Sequence, residues 1–271
     1  MRLFGFFFLL LTFSLTMVDC QQEKKIVNKP VLAFRFIDFA DSIVDNSSDN
    51  FFKVSIRYPV AIDTSNILAK SIADTIKYYS IASMLGDDPD VVLPSTIDIA
   101  AQTMNQNFRK ELSEQLSEPE NERYPVIQLR EINCKEIYRN EKVICFELGI
   151  YANMGGAHPG FTTSLFTFDI NNGKPLNLHE ILIDAKKMIE VLEKGLRKSR
   201  KIPEDQSLQD AGFLYEDREA TLPIPVDYSI DSSGMRIIYN SYEIAPYVIG
   251  PSDFIIPFSE LDKIINLNIL K

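Results

Sequence analysis

Apolar and polar residues alternate from Val31 to Phe39 and again from Phe51 to Tyr58, where Pro59 closes the run. A period of two puts one face of each segment in a core, so both are expected as strands. Asp45-Asn46-Ser47-Ser48-Asp49-Asn50 between them supplies turn residues and makes the pair a hairpin. The period then changes to helical spacing. Leu68, Ile72, Ile76 and Tyr79 line one helix, with Thr64 or Ser65 as cap and Gly86-Asp87-Asp88-Pro89 as stop. Ile97, Ala101, Met104, Phe108 and Leu112 line a second, opened by Ser95 and Asp98 as a capping box. Glu114 to Arg123 is charged, holds Pro119 and is read as a loop.

Strand patterns return at Tyr124–Tyr138 and Lys142–Ala152, around the polar turn Tyr138-Arg139-Asn140-Glu141-Lys142. Phe161 to Ile170 alternates and ends at the turn Asn171-Asn172-Gly173. Leu178, Ile181, Ala185, Ile189, Leu192 and Leu196 form one helix face, capped by Asn177 and Glu180. Val226–Ile230 and Met235–Asn240 flank Asp231-Ser232-Ser233-Gly234 as a hairpin; Ser252–Pro257 is a last strand, and Ser259–Ile264 a helical turn. These patterns predict an α+β class, with antiparallel sheets, helices packed on one face, and two intimate subdomains that meet near residue 120.

The first residues change the picture of where the protein works. Arg2 precedes an apolar run from Leu3 to Leu15 that is short for a membrane span and fits a secretory signal peptide over residues 1–19. Cys20 stands where a bacterial lipoprotein carries its lipidated cysteine, although Asp19 replaces the usual small residue before it. Residues 20–29 are polar and read as a tether. Removing 1–19 takes away Arg2 and Asp19, so the net charge stays at -10. An acidic surface disfavours nucleic acid and suits a basic protein partner. Cys134 and Cys145 flank the 138–142 turn, so an exported chain would either join them in a disulfide or bury them as free thiols.

Candidate chemistry is sparse. His158 and His179 are the two histidines. His158 lies in Gly155-Gly156-Ala157-His158-Pro159-Gly160, where glycines allow tight turns. His179 falls in the first turn of a capped helix. Two histidines so far apart, without a spaced acidic motif, predict no metal site. Neither a phosphate-binding glycine loop nor a Gly-x-Ser-x-Gly elbow occurs, and no cofactor is expected. Lys186 to Lys201 is strongly basic on one helix face and is read as solvated. The richest binding signal is Tyr239–Pro251, where Tyr239, Tyr242 and Tyr247 accompany Ile244, Pro246 and Val248. Tyrosine offers large contact area at small entropic cost, and prolines pre-order the loop that carries it.

The Tyr151–Leu182 block and the Tyr242–Leu261 block resemble the extracytoplasmic domain of the RsiV-type anti-sigma factors and their envelope relatives. Phe51-Phe52-Lys53-Val54-Ser55-Ile56-Arg57-Tyr58-Pro59 and the helix after it resemble the partner domain fused ahead of that module, which also precedes some peptidoglycan deacetylase domains. The resemblance implies a partner domain over 30–120 and an RsiV-type domain over 121–271. In the anti-sigma branch this domain binds lysozyme outside the membrane, which licenses proteolysis that frees a sigma factor. It implies partner contact at Pro246 and Tyr247 and leaves His158 without an assigned role. No cytoplasmic sigma-binding segment or clear membrane span precedes the domain and no deacetylase domain follows it. Sigma-factor signalling and peptidoglycan chemistry are therefore not expected.

The expectation is a non-enzymatic protein of a bacterial cell envelope, lipid-anchored to the membrane through Cys20, periplasmic or surface-exposed, with plain secretion as the alternative. It binds a lysozyme-like protein or peptidoglycan through Tyr242, Pro246, Tyr247 and His158. The rival reading is a cell-wall or carbohydrate-modifying hydrolase with its site around His158.

Overall fold

The computed structural model describes residues 32–44, 49–86, 92–214 and 221–271. The expected leader and tether, Cys20, and most of the turn clusters after Val44 and Gly86 lie outside the described residues.

The chain is α+β. Strands β1 (Phe34–Val44), β2 (Phe51–Ala61), β3 (Ile127–Arg139), β4 (Val143–Asn153) and β5 (Gly160–Asp169) form one sheet in that order. Strands β6 (Ser229–Ile230), β7 (Gly234–Tyr239) and β8 (Ser252–Pro257) form a second. Neighbouring strands are antiparallel except β2 and β3, which run parallel. Helices α1 (Ile67–Leu85) and α2 (Ile97–Ser117) make the crossover that parallel pairing requires. The expected joint at residue 120 lies between α2 and β3, and the large sheet runs across it. Residues 32–271 form one compact unit.

Two cores share the β4 strand. Ile144, Phe146 and Leu148 point to the face covered by α1 and α2, against Phe52, Ile76 and Phe108. Val143 and Cys145 point the other way, into a core with Met188, Leu192, Ile237 and Ile256. Burial on both faces explains the continuous apolar run Val143-Ile144-Cys145-Phe146. Between the two sheets, Glu147 accepts from Lys135 at 2.7 Å and from Arg236 at 2.5 Å, and Arg236 also grips Asp253 at 2.7 Å. Burial works to raise the Glu147 pKa, but these hydrogen bonds and charges outweigh it and hold the carboxyl below its ordinary value.

The strand alternation also decides the cysteines. Cys134 pairs across from Leu148, and Cys145 from Tyr138, with a register shift between Glu136 and Tyr138. Cys134 belongs to the helix-covered core and Cys145 to the other. Thiols on opposite faces of a sheet cannot bond, so the possible disulfide is corrected to two free, buried cysteines. Burial, with a smaller push from Glu147, moves the Cys134 thiol up to about 12; burial also raises Cys145. Both are expected to resist alkylation in the native protein and to react only after unfolding, as mass mapping of labelled peptides would show. Rapid native labelling of either would contradict this packing.

The helix ends differ from expectation in detail. Asn66, not Thr64 or Ser65, caps α1 by accepting from Ala69 N at 3.1 Å, because Asp63 has already engaged Ser65. Thr96, not Ser95, caps α2, which runs on to Ser117 through part of the expected loop. The single helix expected from Leu178 breaks into α3 (Leu178–Ile181) and α4 (Ala185–Arg200). The break holds because Ile183 and Asp184 donate to Ile264 O and Asn266 donates to Ile181 O. Asp184 then caps α4 by accepting from Lys187 N. Among the described residues, no helix is long and apolar enough to cross a membrane.

Candidate functional site

Residues from two distant segments meet at one end of the β4–β5 hairpin. The first is the connection after β4. Gly155, at φ +73°, turns the chain while donating to the Asn153 side chain at 3.1 Å, and this carries His158 and Pro159 to the start of β5. The second follows β7. Asn240 takes the edge of β5 as a strand would: its side-chain oxygen accepts from Thr163 N at 2.8 Å and its amide donates to Thr163 O at 3.1 Å. Tyr242 N then donates to Ala245 O at 2.9 Å and closes a tight turn that projects the Tyr242 ring. A short 3-10 turn, Tyr247–Ile249, follows Pro246. Arg200, at the end of α4, donates to the carbonyls of Ile249, Gly250 and Pro251 and to Ser252 Oγ, which anchors the loop to the second core.

The two segments join through rings. The imidazole of His158 stacks on Tyr247 with centroids 3.7 Å apart and planes 17° from parallel. Tyr242 lies beyond, 6.5 Å from His158 and 6.0 Å from Tyr247, at similar tilt. His158 Nδ1 sits 3.1 Å from Pro159 O, which only accepts, so Nδ1 donates there, and Nε2 lies within hydrogen-bond reach of Tyr242 Oη at 3.2 Å. Tyr247 Oη also donates to Pro159 O at 2.9 Å. Each ring contact contributes about 0.5–1.5 kcal/mol, so the patch is pre-shaped. It is also open: His158 is exposed, Tyr242 is 59% exposed and Tyr247 37%. Val248, in the same turn as Tyr247, and Phe161, near the start of β5, are exposed as well.

All four sequence candidates, His158, Tyr242, Pro246 and Tyr247, thus come together. The rest of the tyrosine-rich segment divides. Tyr239 is buried, with its hydroxyl donating to Pro223 O at 2.6 Å, and Ile244 is buried beside it. Those two serve the core. His179 is exposed in α3, away from the patch. Among the described residues, neither His158 nitrogen contacts a carboxylate or a Ser, Thr or Cys side chain. Among the described residues, no group of three His, Cys, Asp or Glu side chains is placed to hold a metal. Asn240 and Arg200 gave no sequence signal: one looked like a strand end and the other like part of a solvated basic face.

With this geometry in view, likeness to known proteins can be placed. Residues 180–259 match a family described as a protein of unknown function, DUF3298. That span includes Tyr242, Pro246 and Tyr247 and stops short of His158. The fold is similar to that of a DUF3298-family member from Bacteroides fragilis, with a TM-score of 0.66 and 19% identity over 88% of this chain and 96% of that one. It is also similar to a DUF3298-family protein from Pseudomonas aeruginosa, with a TM-score of 0.58 and 16% identity over the same shares. At such identities the likeness concerns the fold. No curated protein matches the chain.

Proposed function

We propose that this chain is an exported, lipid-anchored binding protein of a bacterial cell envelope, of RsiV-type kind, and that the His158–Tyr242–Tyr247 stack is its recognition face for a basic, lysozyme-like protein. The observation that carries the reading is the stack itself. Two segments more than 80 residues apart converge on three rings that stay exposed and fill no core. Rings locked by mutual stacking, by the Pro159 carbonyl and by the Arg200 clamp lose little entropy on docking. The net charge of -10 favours a basic ligand over an anionic polymer. The rival hydrolase reading lacks comparable support, because the His158 nitrogens are engaged by Pro159 O and Tyr242 Oη rather than by an acid and a nucleophile.

Immobilised lysozyme and insoluble peptidoglycan, each challenged with wild type and Tyr247→Ala, test the proposal. Wild type is expected on lysozyme, with retention lost in the variant. Retention by neither ligand rejects the named partner; equal retention of both proteins rejects the site; retention by peptidoglycan alone reassigns the ligand to the cell wall.

A further inference from the structure

The turn that projects Tyr242 into the stack turns Glu243 towards a cleft next door. This cleft, of about 290 Å³, lies between β5 and the segment before β6. Its polar lining is Asp227, Glu243, Thr162, Thr163, Ser164 and Asn240, and among the described residues no lysine or arginine lines it. Glu243 accepts from Asn240 Nδ2 at 2.9 Å. Asp227 has no ion pair or hydrogen bond among the described residues, although it is accessible to solvent. Enough protein surrounds it that burial, with help from the Glu243 charge, raises its pKa from the ordinary aspartate value. Tyr79 is pushed up as well, first by its own burial and then by Asp227. Two carboxylates thus face one concavity with no counter-cation among the described residues, which concentrates negative potential there.

We propose, resting on the binding reading above, that this cleft is the cationic half of the same recognition face and takes an arginine side chain of the basic protein ligand. The guanidinium lies between Asp227 and Glu243, its remaining N–H groups donate to the β5 hydroxyl that faces the cleft, and the residue beside it rests on the Tyr242–Tyr247–His158 stack. Guanidinium suits the site better than ammonium because its planar fork serves two carboxylates at once and also stacks on aromatic faces.

The test titrates the isotope-labelled protein with N-acetyl-arginine methylamide, its lysine counterpart and its neutral citrulline counterpart, following backbone amides by NMR. The arginine probe is expected to shift Thr163, Asn240 and Glu243, the lysine probe to bind more weakly, and citrulline to leave them unmoved. Asp227→Asn and Glu243→Gln should each weaken the arginine probe about tenfold, the scale of one charge-assisted hydrogen bond. Asp227→Asn should melt no lower than wild type at pH 7, because it relieves an unpaired acid; this separates lost binding from lost folding. Arginine shifts elsewhere, equal response to citrulline, or unchanged binding by both variants overturns the proposal. Lysozyme arms keep the two readings apart. If Tyr247→Ala loses lysozyme while Asp227→Asn and Glu243→Gln retain it fully, the cleft assignment falls and the stack stands. If Tyr247→Ala binds lysozyme normally while both cleft variants lose the arginine probe, the stack assignment falls and the cleft stands.

Discussion

Gly234→Ala is expected to cost about 3 kcal/mol or more of stability and to lower the melting temperature by about 6–12 °C in a chain of this size. Gly234 opens β7 directly across from Pro257 and is buried. A methyl group there would lie 2.2 Å from Ile256 O and 2.8 Å from Ile256 C. Both are backbone atoms held in the β7–β8 ladder, so no side-chain rotation relieves the clash. Gly234 is also tied from the other side, donating to Asp231 at 3.1 Å. Strand β7 would have to leave β8, and Met235 and Ile237 would leave the second core with it. Gly156→Ala is the control: a methyl group at Gly156 meets nothing within 4 Å, and stability should be unchanged or slightly higher. Equal melting of Gly234→Ala and wild type would contradict the placement of the small sheet.

Tyr242→Gly is expected to separate binding from stability. Tyr242 holds φ +75°, a conformation that costs an L residue about 1–2 kcal/mol. Glycine removes that cost and also removes the stack and the hydroxyl bond to His158, about 0.5–1.5 kcal/mol. The two changes nearly cancel, so melting should move little. Affinity for the protein ligand should fall about 30-fold, the loss typical of a central aromatic contact of about 2 kcal/mol. Tyr242→Ala keeps the strain and loses the ring, so it should bind as poorly and melt lower than the glycine variant. A strained tyrosine retained on an open surface is what selection for contact leaves behind, and a stable Tyr242→Gly that binds like wild type would refute that explanation.

Period-two and helical spacing made the strands and the main helices legible, because each is a local consequence of which side chains must leave water. Tyr242, Pro246 and Tyr247 were expected together because aromatics beside prolines suit a pre-ordered loop, and the two tyrosine rings do lie exposed side by side. His158 was already grouped with them, but its stacking on Tyr247 and its contact with Tyr242 were not readable, since they depend on the 84-residue separation closing through the β5 edge. Asn240 imitates a strand with its side chain, and Arg200 binds three carbonyls from a helix end; neither role leaves a trace in hydrophobic pattern. The cysteines stayed open between a disulfide and free thiols because a hairpin suggests opposition, while one irregular step between Glu136 and Tyr138 and the pleat decide which face each thiol takes. The break between α3 and α4 stayed hidden for a similar reason: the chain segment at Ile264–Asn266 satisfies the backbone there, and it lies far away in sequence.

The most direct measurement is the equilibrium affinity of wild type and Tyr247→Ala for lysozyme, taken with the melting temperature of each. The account predicts that the variant stays folded and binds at least tenfold more weakly, while melting about 2–8 °C lower for the roughly 1–2 kcal/mol of ring contacts and Pro159 bond it loses. Equal affinities, or no binding by wild type, would contradict it.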